Sequence, residues 1–410
     1  LKGGELLQRR RLQFLSADII FLILLVFFLW PYPEAAAAPA EDAGSGLSQQ
    51  YLSEQLEKLP LDDLEVFLKR VDGDIQEQLS GFSLIEMLEG IRQGEIDFDL
   101  KGLFKELIKF FFREFLTHAV LLGKLIVLGA VLALLAHLQC AFEQNTVARL
   151  AHSVGLLSLF TVALSSFTLA LSAGREAIGS MVGFMQSLIP VVMPLLAAVG
   201  NLTSVALMHP VIFLSLNVLG TLTQNIVFPL IFCSAVLGIV SQLSERFQVS
   251  RLAGLFRDGS VLLLGLFLTI FTGILAVQGV AGAVADGVGL RTAKYLTGAF
   301  VPVVGGILSD AVEAVVGCSL FIKNAVGILG VLAIFFLCTI PVVKILAAAM
   351  VYRLAGAILQ PIGARELSDS LHLLGNYLFL VFAVVAAVGV MFFMALGIIV
   401  GLGNLVVMLR

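Results

Sequence analysis

Long apolar runs recur along this chain at intervals that suit membrane-crossing helices. The runs at about 118–138, 152–173, 211–240, 259–282, 324–350 and 373–400 each match the roughly 20 helical residues that a hydrocarbon core requires. Two further apolar runs, 181–200 and 295–320, are interrupted. IPVVMPLL (189–196) holds Pro190 and Pro194, and VPVVGGIL (301–308) holds Pro302, Gly305 and Gly306. Proline removes a helix hydrogen bond, so both runs are expected to break, dip into the bilayer and leave by the face they entered, the alternative being a full crossing. Backbone of that kind at membrane depth has to be buried in protein or line a wet cavity, because lipid offers no partner for its N–H and C=O groups.

The pattern repeats. VARLA (147–151), VSRLA (249–253) and VYRLA (351–355) each begin 102 residues after the last, and arginine is scarce in this chain. IPVVMPLL answers VPVVGGIL at an offset of 112, with Pro190 opposite Pro302, and NVLG (217–220) answers NAVG (324–327) at an offset of 107. One unit therefore reads as a basic loop, a span, a proline-broken re-entrant hairpin and an Asn-x-x-Gly span. It occupies about 147–248 and 249–350, with a truncated third unit at 351–410. Two spans per unit make the copies parallel, and paired broken segments in corresponding positions of two repeats point to a transport pathway.

The first 116 residues differ. Lys2 and Arg9–Arg11, the apolar IIFLILLVFFLW (19–30) and the alanines at 35–38 follow the order of a secretory signal, cleaved after Ala37 or Ala40. The alternative for 1–40 is an uncleaved N-terminal anchor. Residues 41–116 then form an acidic, helical extracytoplasmic segment. It ends in KGLFKELIKFFFREFL (101–116), whose Lys101, Lys105, Lys109 and Arg113 suit a helix lying at the lipid headgroups. The polytopic membrane domain is 117–410. With residue 41 outside, Arg149, Arg246, Arg251, Arg257, Arg353 and Arg365 fall inside and Arg175, Arg291, Lys294 and Lys323 outside, a weak positive-inside bias.

Composition agrees. Apolar residues make up 59% of the 410 and charged residues 13%, with mean hydropathy +1.03, far from a soluble domain. The fold class is all-α and polytopic. The net charge of −4 carries no basic nucleic-acid footprint. Cys140, Cys233, Cys318 and Cys338 lack metal-ligand spacing and read as small buried hydrophobes. The five histidines form no HExxH, and no nucleophile has a base at useful spacing. The chain reads as non-enzymatic, with no cofactor and no metal. GVAGAVADGVG (279–289) lacks a phosphate-loop lysine and suits close helix packing or an outer loop.

The candidate functional residues are those of the broken runs and the polar groups at membrane depth. Pro190, Pro194, Pro302, Gly305, Gly306, Asp310 and Glu313 mark the conduit or hairpins, and Lys124, Asn217, Asn324 and Lys344 are the intramembrane polar set. Gln224 and Asn225 add to the repeated span. An intramembrane charge costs a few kcal/mol and faces a partner or water. The plainer alternative is helix–helix hydrogen bonding for the asparagines and snorkelling for Lys323.

Taken in order, the export signal, LEKLPLDDLEVFLKR (56–70), FKELIKF (104–110), IPVVMPLL and FVPVVGGILSDAVEAVVG (300–317) resemble the stage III sporulation protein AE family over essentially the whole chain. The resemblance implies a multi-pass protein in the mother-cell-derived membrane around the forespore. It implies partners among the other stage III A operon proteins and stage II sporulation protein Q. It further implies a place in a channel complex supporting transport into, or nurture of, the forespore and its late gene expression. The alternative is a stand-alone secondary transporter for a small solute. Homo-oligomerisation is compatible with either, and the lipid bilayer is a partner in both.

Overall fold

A computed structural model describes residues 62–79, 83, 100–141, 146–243, 249–300 and 305–408. The signal or anchor at 1–40 and Pro302 lie outside the described residues. Within them every element is helical. In chain order these are α1 (Asp62–Gln78), α2 (Leu100–Thr117), α3 (Ala119–Ala141), α4 (Thr146–Ala198) and α5 (Leu202–Leu222). A π-helical turn (Thr223–Val227) follows, then α6 (Phe228–Leu243), α7 (Ser250–Phe300), α8 (Gly305–Leu359) and α9 (Arg365–Met408). Six stretches are long and apolar enough to cross a membrane: Gly102–His137, Ser153–Ala198, Leu202–Gln242, Ser250–Val288, Ser319–Leu359 and Arg365–Gly401. Each overlaps one of the six spans expected from the sequence. This is the make-up of a multi-pass membrane protein.

The helices are longer than a bilayer needs. α4 has 53 residues, about 80 Å at 1.5 Å per residue, and α8 has 55. The proline-broken reading of 181–200 is corrected here: α4 runs unbroken through Pro190 and Pro194 and ends at a turn where Gly200 has φ 101°. Both prolines face outward, while Val191, Val192, Leu195 and Leu196 on the opposite side are buried and hold the helix in register. In the second run, α8 starts at Gly305 and continues as helix through Asp310 and Glu313.

Helix α9 organises the bundle. One row of its buried positions is Leu371, Leu374, Leu378, Val381, Val385, Val388, Phe392, Ala395 and Ile399, all 2% exposed or less, with Val384 and Leu396 buried beside it. The spacing alternates three and four, the period of a left-handed helix–helix seam. The seam packs chiefly against α8, with α7, α4 and α6 around the remainder. Antiparallel closure of α8 on α9 depends on Gly356, where a Cβ would sit 2.9 Å from the Ser368 carbonyl oxygen, a backbone atom that cannot turn aside. Ser368 Oγ in turn donates to the Gly356 carbonyl at 2.7 Å. Gly356→Leu is expected to destabilise the protein by about 1–3 kcal/mol through overpacking, read as a lowered unfolding midpoint in detergent.

Buried hydroxyls tie the helices further. Tyr352 on α8 donates to the Ala163 carbonyl on α4. Ser234 on α6 donates to the Ala253 carbonyl on α7, so Tyr377 on α9 donates to Ser234, at 2.6 Å. At one end of the bundle, α1 buries Leu64, Val71 and Ile75 and packs on α4 and α8, with the Phe67 ring 5.5 Å from that of Phe184. α2 runs into α3 without a break in hydrogen bonding: His118 N–H reaches Glu114 O and Leu122 N–H reaches His118 O, each at 3.0 Å. Arg113 donates to the Gln78 carbonyl at 2.7 Å, fixing α2 to the end of α1.

Candidate functional site

The local sequence TLTQNIVFP (221–229) explains an irregularity in the middle of the third long helix. Pro229 has no N–H, so it cannot bond the carbonyl of Asn225 four residues back or that of Gln224 five back. The backbone widens to a π turn over 223–227, where Phe228 N–H bonds the Thr223 carbonyl. The unclaimed Gln224 carbonyl accepts a hydrogen bond from Arg175 Nη2 of α4 at 2.7 Å, and Gln224 Nε2 lies 3.5 Å from the Arg175 carbonyl. Two long helices are therefore pinned at mid-length by reciprocal polar contacts. Such π bulges occur frequently at functional sites.

From this pin a polar seam runs along the α4–α5 contact toward the turn at Gly200. Gln186 Nε2 donates to Asn217 Oδ1 at 3.3 Å, and Asn217 Nδ2 donates to the Phe213 carbonyl at 2.8 Å. Pro190 and Pro194 lie one and two turns beyond Gln186 on the same exposed face of α4. Each proline leaves a carbonyl, those of Gln186 and Pro190, without its helix donor. Arg175, Glu176, Thr221 and Asn225 are also exposed. The seam thus offers amides, free carbonyls and one adjacent charge pair in an otherwise apolar bundle. Beneath it, Thr223 is fully buried and its hydroxyl has no partner.

The structure brings together only part of the expected set. Pro190, Pro194 and Asn217 share the seam. Gly305 and Gly306 open α8, and Asp310 and Glu313 follow in its first turns, their side chains lying outside the described ones. Asn324 is half-buried, with an Oδ1 that has no partner. Lys344 is half-buried on α8, and Lys124 is exposed on α3. Lys323, for which snorkelling is the plainer alternative, is instead fully buried and donates to the Val400 carbonyl on α9 at 2.7 Å. Cys233, read as buried, is exposed.

Sequence reasoning missed two residues. Arg175 looked like a loop charge, because a span was ended before it. Asp286 was passed over inside a glycine-rich stretch, yet it is 4% exposed, and its carboxylate accepts from Thr203 N–H at 2.7 Å and Ser204 N–H at 2.9 Å, at the start of α5. Nothing local in the sequence ties Arg175 to Gln224, 49 positions further along. No local signal marks Asp286, whose partners lie more than eighty residues away.

The family model described as stage III sporulation protein AE matches residues 82–403. A relative, the stage III sporulation protein AE of Bacillus subtilis (strain 168), is 42% identical over 328 residues, covering 80% of this chain and 81% of that protein. No solved structure matches the chain. The match takes in every helix of the bundle from α2 to α8 and nearly all of α9, seam included, and on it the chain belongs to the stage III sporulation protein AE family.

Proposed function

We infer that this protein is a non-enzymatic membrane component of the sporulation machinery joining mother cell and forespore, and that the α4–α5 seam is its polar conduit or part of one. The observation carrying this is the pinned π turn. A bundle in lipid has no reason to free backbone carbonyls and cluster amides on an exposed helix face unless water or a polar partner meets them. Family membership supports a part in sporulation, and association with the other proteins of the stage III A system is read from it. Association with stage II sporulation protein Q, and a role in nurture and late gene expression of the forespore, are parts of the same proposal.

Orientation and duplication enter as proposals too. If residue 41 is exported, α1 is outside, and its packing near Phe184 puts the Gly200 turn on the outer side as well. Six crossings then return Val249 and 360–364 to the inside. The pair α4/α5–α6 and the pair α7/α8 are read as tandem parallel copies, with α9 the remnant of a third. α4 and α7 both begin at their VxRLA segments. Pro229 and Pro341 are 112 positions apart, the same offset as Pro190 and Pro302. In this reading Pro190 and Pro194 lie at the outer end of α4 rather than in a separate dip.

A stand-alone transporter remains the second reading, favoured by the same broken-helix chemistry at mid-bundle. One experiment separates the two. Purified protein in liposomes is tested for uptake of small polar solutes, and the gene is placed in a B. subtilis strain lacking its relative. Restored sporulation with inert liposomes is the outcome expected of a complex component. Solute uptake by the protein alone would instead support the transporter.

A further inference from the structure

The start of α5 carries two caps for one set of amides. Thr203 and Ser204 occupy the second and third positions of the helix, whose free N–H groups are ordinarily capped by the residue just before it. That residue is Asn201, among the best capping side chains, yet it makes no side-chain cap bond. Asp286 on α7 takes both N–H groups instead. Asn201 is left fully buried with neither Oδ1 nor Nδ2 partnered, and the buried Ser204 hydroxyl is unpartnered too. A buried amide without partners is a standing penalty that native folds rarely keep. Its Oδ1 share is relieved if Asn201 caps its own helix, which requires Asp286 to leave.

We propose that Asn201 and Asp286 are exchangeable caps, so that α5 is a gate latched to α7 in the state seen here. Release leaves the helix end capped by Asn201 and returns the Asp286 carboxylate to solvent, so the two states are near in energy, as a switch element requires. The geometry supplies the remaining parts. Gly282, one turn before Asp286, lets the helices touch: a Cβ there would lie 2.6 Å from Ser204 Oγ and 2.9 Å from Ser204 Cα. At the other end of α5, the π turn and Pro229 interrupt the helix and provide the hinge. Movement of α5 about that hinge would shift its seam with α4, to which the Gly200 turn ties its start. That consequence rests on the conduit reading, whereas the cap exchange does not.

The test uses the full-length protein with its four cysteines replaced by serine and spin labels at Leu207 on α5 and Val277 on α7, both exposed. In the parent the longer-distance population is expected to be minor, below roughly one in ten. Asp286→Ala should make it the major one with little change in unfolding midpoint, because Asn201 takes over the cap. Asn201→Ala alone should leave the distances unchanged. The double variant should lose more stability than the two single losses added together. Gly282→Ala, which wedges the contact without touching either cap, should also enrich the longer distance. An unchanged distance distribution in Asp286→Ala, its failure to fold, or strict additivity in the double variant would each overturn the exchange.

Discussion

Replacing Gln186 and Asn217 together by leucine is expected to lower heat-resistant spore yield about tenfold or more while the protein still accumulates in the membrane. The two side chains bond each other at 3.3 Å on the α4–α5 seam, with Asn217 exposed and Gln186 half-buried. Their exchange leaves the buried seam of α9 untouched. If polar solute or a polar partner passes along the seam, it loses two hydrogen-bonding groups at about 1 kcal/mol each, which is more than a factor of ten in a rate. Spore counts and membrane protein levels are measured together in a strain relying on this gene. Normal yield with both residues apolar would remove the seam from the account. The same pair changed to serine, which keeps polarity but not length, should retain most of the yield.

The largest effect on the fold itself is expected at Tyr352. It is fully buried where α8 meets α4, with its hydroxyl on the Ala163 carbonyl. Tyr352→Ala removes an aromatic ring from the bundle interior and should cost about 3–5 kcal/mol, a large share of the stability of most domains. Tyr352→Phe keeps the ring and loses only the hydroxyl contact, worth roughly 0.6 kcal/mol on average between membrane helices. Unfolding in a detergent series is expected to show a small shift for phenylalanine and loss of folded protein for alanine. Equal shifts would mean that the hydroxyl bond, not the packing, holds α8 to α4.

The sequence made the membrane bundle legible because apolar length is a local property. Each of the six spans read from hydropathy falls on one of the long helices. Their ends were misjudged for a local reason as well. The expected span ends at 173, before Arg175, although α4 carries Arg175 and Glu176 on an exposed face and runs on to Ala198. Pro190 and Pro194 predict a break, yet a buried row of valine and leucine on the other side of the helix outweighs two missing hydrogen bonds. The seam was half legible, since Asn217 and the prolines were singled out but Arg175 was not tied to Pro229. Asp286 was not legible at all. Its role arises only where α7 crosses the start of α5, and no local pattern records a cap supplied from more than eighty residues away.

In the conduit reading the α4–α5 seam meets water rather than lipid, and thiol accessibility is the decisive check. In a cysteine-free background, Gln186→Cys, Pro190→Cys and Asn217→Cys are exposed one at a time to a membrane-impermeant thiol reagent on protoplasts. Leu266→Cys, on the apolar exposed face of α7, serves as the lipid-facing control. The three seam positions should react from the outer side and Leu266→Cys should stay unmodified. Seam positions as unreactive as the control, in intact and permeabilised cells alike, would contradict it.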